Sequence, residues 1–257
     1  MTETVFSSIE SRQNPKYKRW REYASHPEDN ECPWILVEGW KAIEEVAFKY
    51  SPELLLFSDP QDLRLKQLLE CSLDNVQLSS KLLKGISALE SPQGVMAFFE
   101  KPCWKWKDLT PWILYLDQLQ DPGNLGTLLR TAEATDMFSL VTSPGTVSCF
   151  NSKVVRASTG ALFKVPLLQG IDPGELKERG YNLWEASPES GQSLFDVQFK
   201  SPLAILVGSE GKGLSSSSSA WASQQLHIPM KATESLNASV AGSLILYEVF
   251  RQTKNYE

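Results

Sequence analysis

Beyond residue 111, short apolar runs alternate with longer stretches whose apolar positions recur every three or four residues. The runs at 113–116, 139–142, 182–186 and 204–207 predict strands, and the stretches at 124–135, 152–161, 173–179 and 237–253 predict helices. Such alternation predicts an α/β domain, a parallel-rich sheet with helices on both faces. Residues 1–100 alternate on a smaller scale. Helices are expected at 16–23, 39–49, 63–70 and 79–89, and strands at 34–37, 54–57, 76–78 and 94–99. This describes a small α/β layer structure. Ile43, Val46 and Ala47 mark the inward face of its second helix. Residues 101–111 carry two prolines and mixed charge and read as a linker. Trp104 and Trp106 within it either anchor it onto a domain or stand free to stack on nucleic-acid bases. The serine run 215–219 reads as a loop whose last serine caps a helix starting near Ala220.

Composition narrows the class. At 257 residues the chain has room for one large domain or two ordinary ones. Hydrophobic residues at 42% and charged residues at 22% are those of a soluble globular protein. No apolar run approaches the length of a bilayer span, so no membrane partner is expected. The start Met1-Thr-Glu-Thr-Val-Phe6 lacks the basic opening and apolar core of a secretion signal, which predicts a cytoplasmic location. Cys32, Cys71, Cys103 and Cys149 form no CxxC, and neither His26 nor His227 has a Cys or His nearby in sequence. Reduced thiols and no metal site are the expectation.

The net charge of −6 speaks against indiscriminate nucleic-acid binding, whose affinity comes from Lys and Arg on phosphates. Distribution matters more than the sum. Residues 12–21 hold Arg12, Lys16, Lys18, Arg19 and Arg21 and no acid, with Tyr17 and Trp20 interleaved. This run is either a limited RNA footprint or a solvated helix face.

Three segments carry chemistry. In Asp121-Pro-Gly-Asn-Leu-Gly-Thr-Leu-Leu-Arg130, the residues Pro122, Gly123 and Gly126 allow a sharp turn and close backbone approach. A helix beginning near Gly123 puts Gly126 and Arg130 on one face, four apart. A guanidinium then stands beside a glycine-lined strand end, where α/β proteins bind ligands. The second segment, Leu206-Val-Gly-Ser-Glu-Gly-Lys-Gly-Leu214, places Gly208, Gly211 and Gly213 after a strand. It fits neither the Walker A pattern nor G-x-G-x-x-G, which excludes a P-loop nucleotide enzyme. The third is Ile228-Pro-Met230 followed by Ser235-Leu-Asn-Ala-Ser-Val-Ala241. It leads into a helix whose first turns carry the small residues Ala238, Ser239, Ala241, Gly242 and Ser243.

In this order the three segments resemble motifs 1, 2 and 3 of the SpoU/TrmH-type RNA ribose 2′-O-methyltransferases of the SPOUT superfamily. Val154-Val-Arg-Ala-Ser-Thr-Gly-Ala-Leu-Phe163 matches the region between the first two. Residues 1–100 resemble the L7Ae/L30e-like RNA-binding module that many of these enzymes carry, with Glu38-Gly39 and Ser91-Pro-Gln-Gly94-Val95 at its landmarks. The resemblance implies an N-terminal substrate-binding domain over 1–100, a linker at 101–111, and a methyltransferase domain over 112–257. In that domain the last helix would thread a loop as a deep trefoil knot. It further implies S-adenosylmethionine as donor, no metal, RNA as partner and a homodimer through the C-terminal domain. Catalytic roles fall to Arg130, Asn124, Glu210, Ser235 and Asn237. The donor pocket runs along Leu206, Gly208, Gly211, Ile228, Met230 and Leu236, mostly through their backbones. Two positions depart from the pattern. Asp136 stands where the motif 1 helix usually ends in glycine, and Asp tolerates the left-handed conformation better than most residues. Lys231-Ala-Thr-Glu234 is a residue short and lacks a glycine, which predicts an altered donor-pocket loop.

Methyl transfer to a ribose hydroxyl requires positioning and a path for the hydroxyl proton. A guanidinium is almost always protonated and is poorly suited as a base. Arg130 would therefore orient the hydroxyl and a neighbouring phosphate and stabilise developing negative charge; the family resemblance gives the matching arginine the proton itself. An ion pair with Glu210 is the structural alternative. Ser235 and Asn237 open the last helix, where capping groups collect. The resulting expectation is S-adenosylmethionine-dependent 2′-O-methylation of RNA. Ribosomal RNA is favoured over transfer RNA, because transfer-RNA enzymes of this type often lack the N-terminal module. The rival is a non-catalytic RNA-binding or ribosome-assembly factor on the same fold, against which the retained Asn124, Arg130, Glu210, Ser235 and Asn237 speak.

Overall fold

The computed structural model describes residues 6–253 apart from 30, 189, 210 and 234. The chain forms two compact units, one of the residues up to 102 together with 150–163, the other of 103–149 and everything after 163.

The first unit contains β1 (Ser7–Ile9), α1 (Pro15–Ser25), β2 (Trp34–Glu38), α2 (Trp40–Ala47), β3 (Leu54–Phe57), α3 (Leu65–Cys71), β4 (Asn75–Leu78), α4 (Ser80–Lys84) and β5 (Val95–Glu100). Its sheet has the order β1-β4-β3-β5-β2. The first three strands are parallel, and β5 runs antiparallel to both its neighbours. Strand β1 was not expected: of Ser-Ser-Ile only Ile9 is buried, too short a pattern to read. Helix α1 starts on Asn14, whose Oδ1 accepts the Lys16 N–H at 2.9 Å, and Pro15 takes a first-turn position where its missing N–H costs nothing. Tyr17 and Trp20 are buried, and the Tyr17 hydroxyl donates to the Leu82 carbonyl at 3.1 Å. The interleaved aromatics therefore leave the surface of α1 to Lys16, Lys18, Arg19 and Arg21, all exposed. Helix α4 ends at Lys84, well short of the expected 89. The segment beyond it gives its donors to Glu38, whose carboxylate accepts from the Ser87 hydroxyl and, at 3.1 Å, from the Ala88 N–H. The glycine landmarks meet through Gln93, whose Oε1 accepts the Trp40 N–H at 3.2 Å.

The rest of the chain forms β6 (Trp112–Leu116), α5 (Pro122–Thr135), β7 (Ser139–Thr142), α6 (Ser152–Ser158), β8 (Leu167–Leu168), α7 (Pro173–Glu178), β9 (Asn182–Ser187), β10 (Gln192–Ser193), β11 (Leu203–Val207), α8 (Ser216–Ser219), β12 (Gln224–His227) and α9 (Ala238–Thr253). Helix α6 belongs to the first unit, where it packs on β2. The seven strands of the second unit form one sheet, β10-β12-β9-β11-β6-β7-β8, parallel throughout. Every residue of β11 is buried, as the continuous run Leu-Ala-Ile-Leu-Val requires of a strand covered on both faces. Strands β8, β10 and β12 escaped the hydrophobic pattern. Two of them are two residues long, and in Gln-Gln-Leu-His only Leu226 is buried.

The serine run corrects an expectation. Its first member, not its last, is the cap: Ser215 Oγ accepts the Ser218 N–H at 3.2 Å, and the helix is Ser216–Ser219 itself. Ser215 is extended and pinned by its own N–H, which leaves its hydroxyl free to cap. Asp136 ends α5 at φ 49°, ψ 31°, the left-handed geometry its position requires. Trp106 packs against the core around Ile113 and Tyr115, under the Arg179 guanidinium 3.8 Å from its ring centroid, so it anchors the linker segment. Small residues bring α9 close to α5: a Cβ at Gly242 would lie 2.6 Å from Leu128 Cδ2, and the Thr131 and Ser243 hydroxyls meet at 3.0 Å. Among the described residues no helix is long and apolar enough to cross a membrane.

Candidate active site

The C-terminal ends of β9, β11 and β12 open onto one cavity of about 120 Å³. In a parallel sheet these ends share an edge. The chain reverses its direction of progress across the sheet beside β6, and open α/β sheets take ligands at that kind of switch. Gly208 and Ser209 line one wall, Ile228, Met230, Ser235 and Leu236 another, and Ala238 and Ala241 of α9 close it.

The loop after β11 is held in a tight turn. Ser209 N–H donates to the Gly213 carbonyl at 3.1 Å, and Gly213 N–H returns the bond to Ser209 at 2.9 Å, with Gly213 at φ +65°. Asp117, 1% exposed, fixes both ends of this loop. Its N–H donates to the Val207 carbonyl at 2.9 Å and its Oδ2 accepts the Ser215 N–H at 2.7 Å. Beneath it the Tyr115 hydroxyl donates to the Ile171 carbonyl at 2.9 Å. Burial pushes that phenol well above its usual pKa, so it stays a donor. At the opposite wall Asn237 caps α9: its Oδ1 accepts from the Ser239 N–H at 2.9 Å, the Ser239 hydroxyl at 2.6 Å and the Val240 N–H at 3.3 Å.

Of the residues expected to hold the donor, the cavity brings together Gly208, Ile228, Met230 and Leu236. Leu206 lies inside β11, fully buried, and does not line it. Gly211 is exposed in the loop, where an added Cβ would meet nothing within 4 Å. Of the polar set, Ser235 is on the cavity wall and Asn237 at the adjacent cap. Asn124 sits in the first turn of α5, 8% exposed, its N–H bonded to the capping Asp121 Oδ1 at 2.9 Å. Arg130 is exposed further along α5, while Gly126 is buried, so the two straddle the edge of the helix's inward face. Neither Asn124 nor Arg130 lines the cavity. Among the described residues Arg130 makes no ion pair. Glu210, and with it an Arg130–Glu210 pair, lies outside the described residues.

Sequence reasoning missed Asp117 and the β9 contribution of Ala186, Ser187 and Pro188. Both stand at the carboxyl ends of recognised strands, and that position was the available signal.

The lining fits a nucleoside-type donor. Leu226, Ile228 and Leu236 give apolar surface for a flat ring, and Ser187, Ser209 and Ser235 give hydroxyls. Among the described residues no charged side chain lines the wall. Among the described residues no cluster of His, Cys, Asp and Glu could hold a metal ion.

Residues 111–247 match the SpoU rRNA Methylase family, and residues 14–97 match the MRM3-like substrate binding domain. The chain belongs to the SpoU rRNA methylase family. It is 30% identical over 248 residues to a 23S rRNA (guanosine(2553)-2′-O)-methyltransferase, RlmP, of Bacillus subtilis, covering 94% of this chain and 98% of that one. Among solved structures it is similar to the SpoU methyltransferase AviRb of Streptomyces viridochromogenes in complex with the cofactor AdoMet. That likeness has a TM-score of 0.81 at 25% identity and covers 93% of this chain and 98% of the other. It is also similar to an RNA 2′-O ribose methyltransferase, with a TM-score of 0.77 at 28% identity over 95% and 98% of the two chains. The α/β architecture, with a SpoU methyltransferase domain preceded by a substrate-binding domain, is the one expected.

Proposed function

We propose that this protein transfers a methyl group from S-adenosylmethionine to a ribose 2′-hydroxyl of RNA, with ribosomal RNA as its substrate. The observation that carries this is the cavity at the ends of β9, β11 and β12, where Gly208 of one sequence segment meets Ile228, Met230, Ser235 and Leu236 of another. The AdoMet held by AviRb and the 23S rRNA specificity in the name of RlmP support donor and substrate. The substrate-binding domain favours ribosomal over transfer RNA.

S-adenosylmethionine supplies a methyl group on a sulfonium, which the ribose oxygen takes by in-line displacement. The protein's task is to hold the two partners in line. Gly208, Ile228, Met230 and Leu236 hold the donor between apolar walls and exposed backbone, with Leu206 of β11 and Gly211 of the following loop beside them. Arg130 orients the hydroxyl and an adjacent phosphate through its planar fork and stabilises the charge that grows on oxygen. Asn124 bonds the Arg130 region or the substrate ribose, and Glu210 holds Asn124 or Arg130 in place. Ser235 and Asn237 serve both the α9 cap and the substrate.

Three further features belong to this proposal. A second copy packs through α9, where Val240, Leu244 and Tyr247 are 47%, 42% and 51% exposed along one face. Such a contact is two-fold and self-complementary. Helix α9 threads a neighbouring loop as a trefoil knot. The protein works in the cytoplasm, where its RNA is.

Mapping 2′-O-methyl sites in RNA from cells with and without the protein tests the substrate. Loss of a single ribosomal site supports it. An intact ribosomal pattern with a lost transfer-RNA site overturns the choice of RNA, and intact patterns in both overturn the activity.

A further inference from the structure

We infer that α1 and the strands beneath it form a seat for one unpaired nucleotide of the RNA. This rests on the methyltransferase reading only in taking RNA as the ligand. In the first unit, a pocket of about 300 Å³ is lined by Lys16, Arg19, Trp20 and Tyr23 of α1, by Trp34 of the edge strand β2, and by Asp74 beside β4. That volume lies at the lower end of the range for ligand clefts.

Its aromatic walls are the half-buried Tyr23 and Trp34 with the buried Trp20. Tyr23 meets Trp34 edge-on at 5.9 Å between ring centroids, and Trp34 is tilted against Phe98 at 6.0 Å. Phe98 anchors the stack in the core. Rings so held present flat surface without further ordering, the property that base stacking on protein aromatics uses.

The rim is basic and arranged. Arg19 Nε donates to the Tyr23 hydroxyl at 2.7 Å, with the guanidinium 5.4 Å from that ring's centroid. Lys16 Nζ lies 3.8 Å from Asp74 Oδ2, both side chains largely open to solvent. Lys18 and Arg21 extend the charge along the exposed side of α1. A phosphodiester fits that rim by charge, and a base fits the walls. Asp74, an acceptor only, suits an exocyclic amino group such as the N4 of cytosine. A duplex would meet the basic rim alone. Filling the pocket needs a base out of its stack, which single strands and loops offer.

The test uses the full chain, fluorescently labelled rC12, and a 12-base-pair RNA duplex as control. Ultraviolet cross-linking followed by peptide mass spectrometry should place cytidine on the peptides carrying Tyr23 or Trp34. Trp34→Leu keeps apolar bulk and removes the stacking ring. It should weaken rC12 binding about tenfold, leave duplex binding unchanged and leave the salt slope unchanged. Trp34→Phe should recover most of the loss. Lys16→Gln with Arg19→Gln, both at the surface, should instead flatten the salt slope by about 0.7 per lost phosphate contact. Adducts confined to other elements, or full rC12 affinity in Trp34→Leu, would overturn the seat. Labelled S-adenosylmethionine binding is measured on the same samples. Donor binding and methyl transfer without the seat would leave the methyltransferase reading standing, whereas rC12 at the seat without donor binding would count against that reading alone.

Discussion

A Cβ added to Gly208 would lie 2.1 Å from the carbonyl carbon of Gly213. The loop that walls the cavity folds back against its own first residue, and backbone atoms cannot yield to a methyl group. Gly208→Ala should therefore destabilise the protein by about 1–3 kcal/mol and abolish S-adenosylmethionine binding by calorimetry. Gly211→Ala, three residues on, meets open space and should change stability by less than about 0.5 kcal/mol. Equal behaviour of the two variants would remove the loop's packing as the cause.

Asn237 joins a structural duty to its proposed place in the site. Asn237→Ala removes three hydrogen bonds at the start of α9 and should cost about 1 kcal/mol in urea unfolding. Asn237→Asp keeps the capping oxygen and should hold stability. Loss of methyl transfer in the stable Asp variant would separate the two roles, and an equal stability loss in both variants would contradict the cap.

The sequence made the second unit's layers legible because its central strands are buried on both faces. Leu203–Val207 admits no reading but a buried strand or helix, and the flanking glycine loop decides it. Pro122 and Gly123 marked the start of α5 and, through the family resemblance, Asp136 its end; the structure adds Asp121 as the N-cap. What escaped depends on partners distant in sequence. Strand β12 is a strand because β9 and β10 flank it, not because Gln-Gln-Leu-His alternates. Helix α4 stops early because Glu38, far upstream, takes the donors of Ser87 and Ala88. Asp117 is a lone acid after a strand until Val207 and Ser215 are brought to it.

The last helix carries a pH-dependent tie. Glu248, 8% exposed, accepts from Arg251 Nε and Nη2 at 2.9 and 2.7 Å and from Gln252 Nε2 at 2.8 Å. The Arg251 hydrogen bonds hold its carboxyl below the usual range. The stabilisation is present above the unfolded value of about 4.3 and is lost as pH falls through the lower folded value. Glu248→Gln should then cost about 1–2 kcal/mol at pH 7, with the stability curves of variant and wild type converging towards pH 3. A gap that stays constant from pH 7 to pH 3 would assign the loss to packing.

Leu244→Glu places a charge in the middle of the exposed apolar face of α9, at a position that does not itself line the cavity. Sedimentation at micromolar concentration should give twice the 28.8 kDa chain mass for the wild type and the single mass for the variant. A wild-type chain found only at 28.8 kDa would contradict the pairing.

The most direct measurement is transfer of label from methyl-tritiated S-adenosylmethionine to ribosomal RNA lacking the modification, with the product digested to nucleosides. Label should appear in a 2′-O-methylated nucleoside. Arg130→Ala should lower the rate by about a hundredfold or more while donor affinity stays within about twofold, because Arg130 stands outside the cavity proposed for the donor. Arg130→Lys should also be poor, since a point charge cannot reproduce the planar fork. Label on a base, no transfer to RNA, or near-full turnover by Arg130→Ala would contradict the assignment.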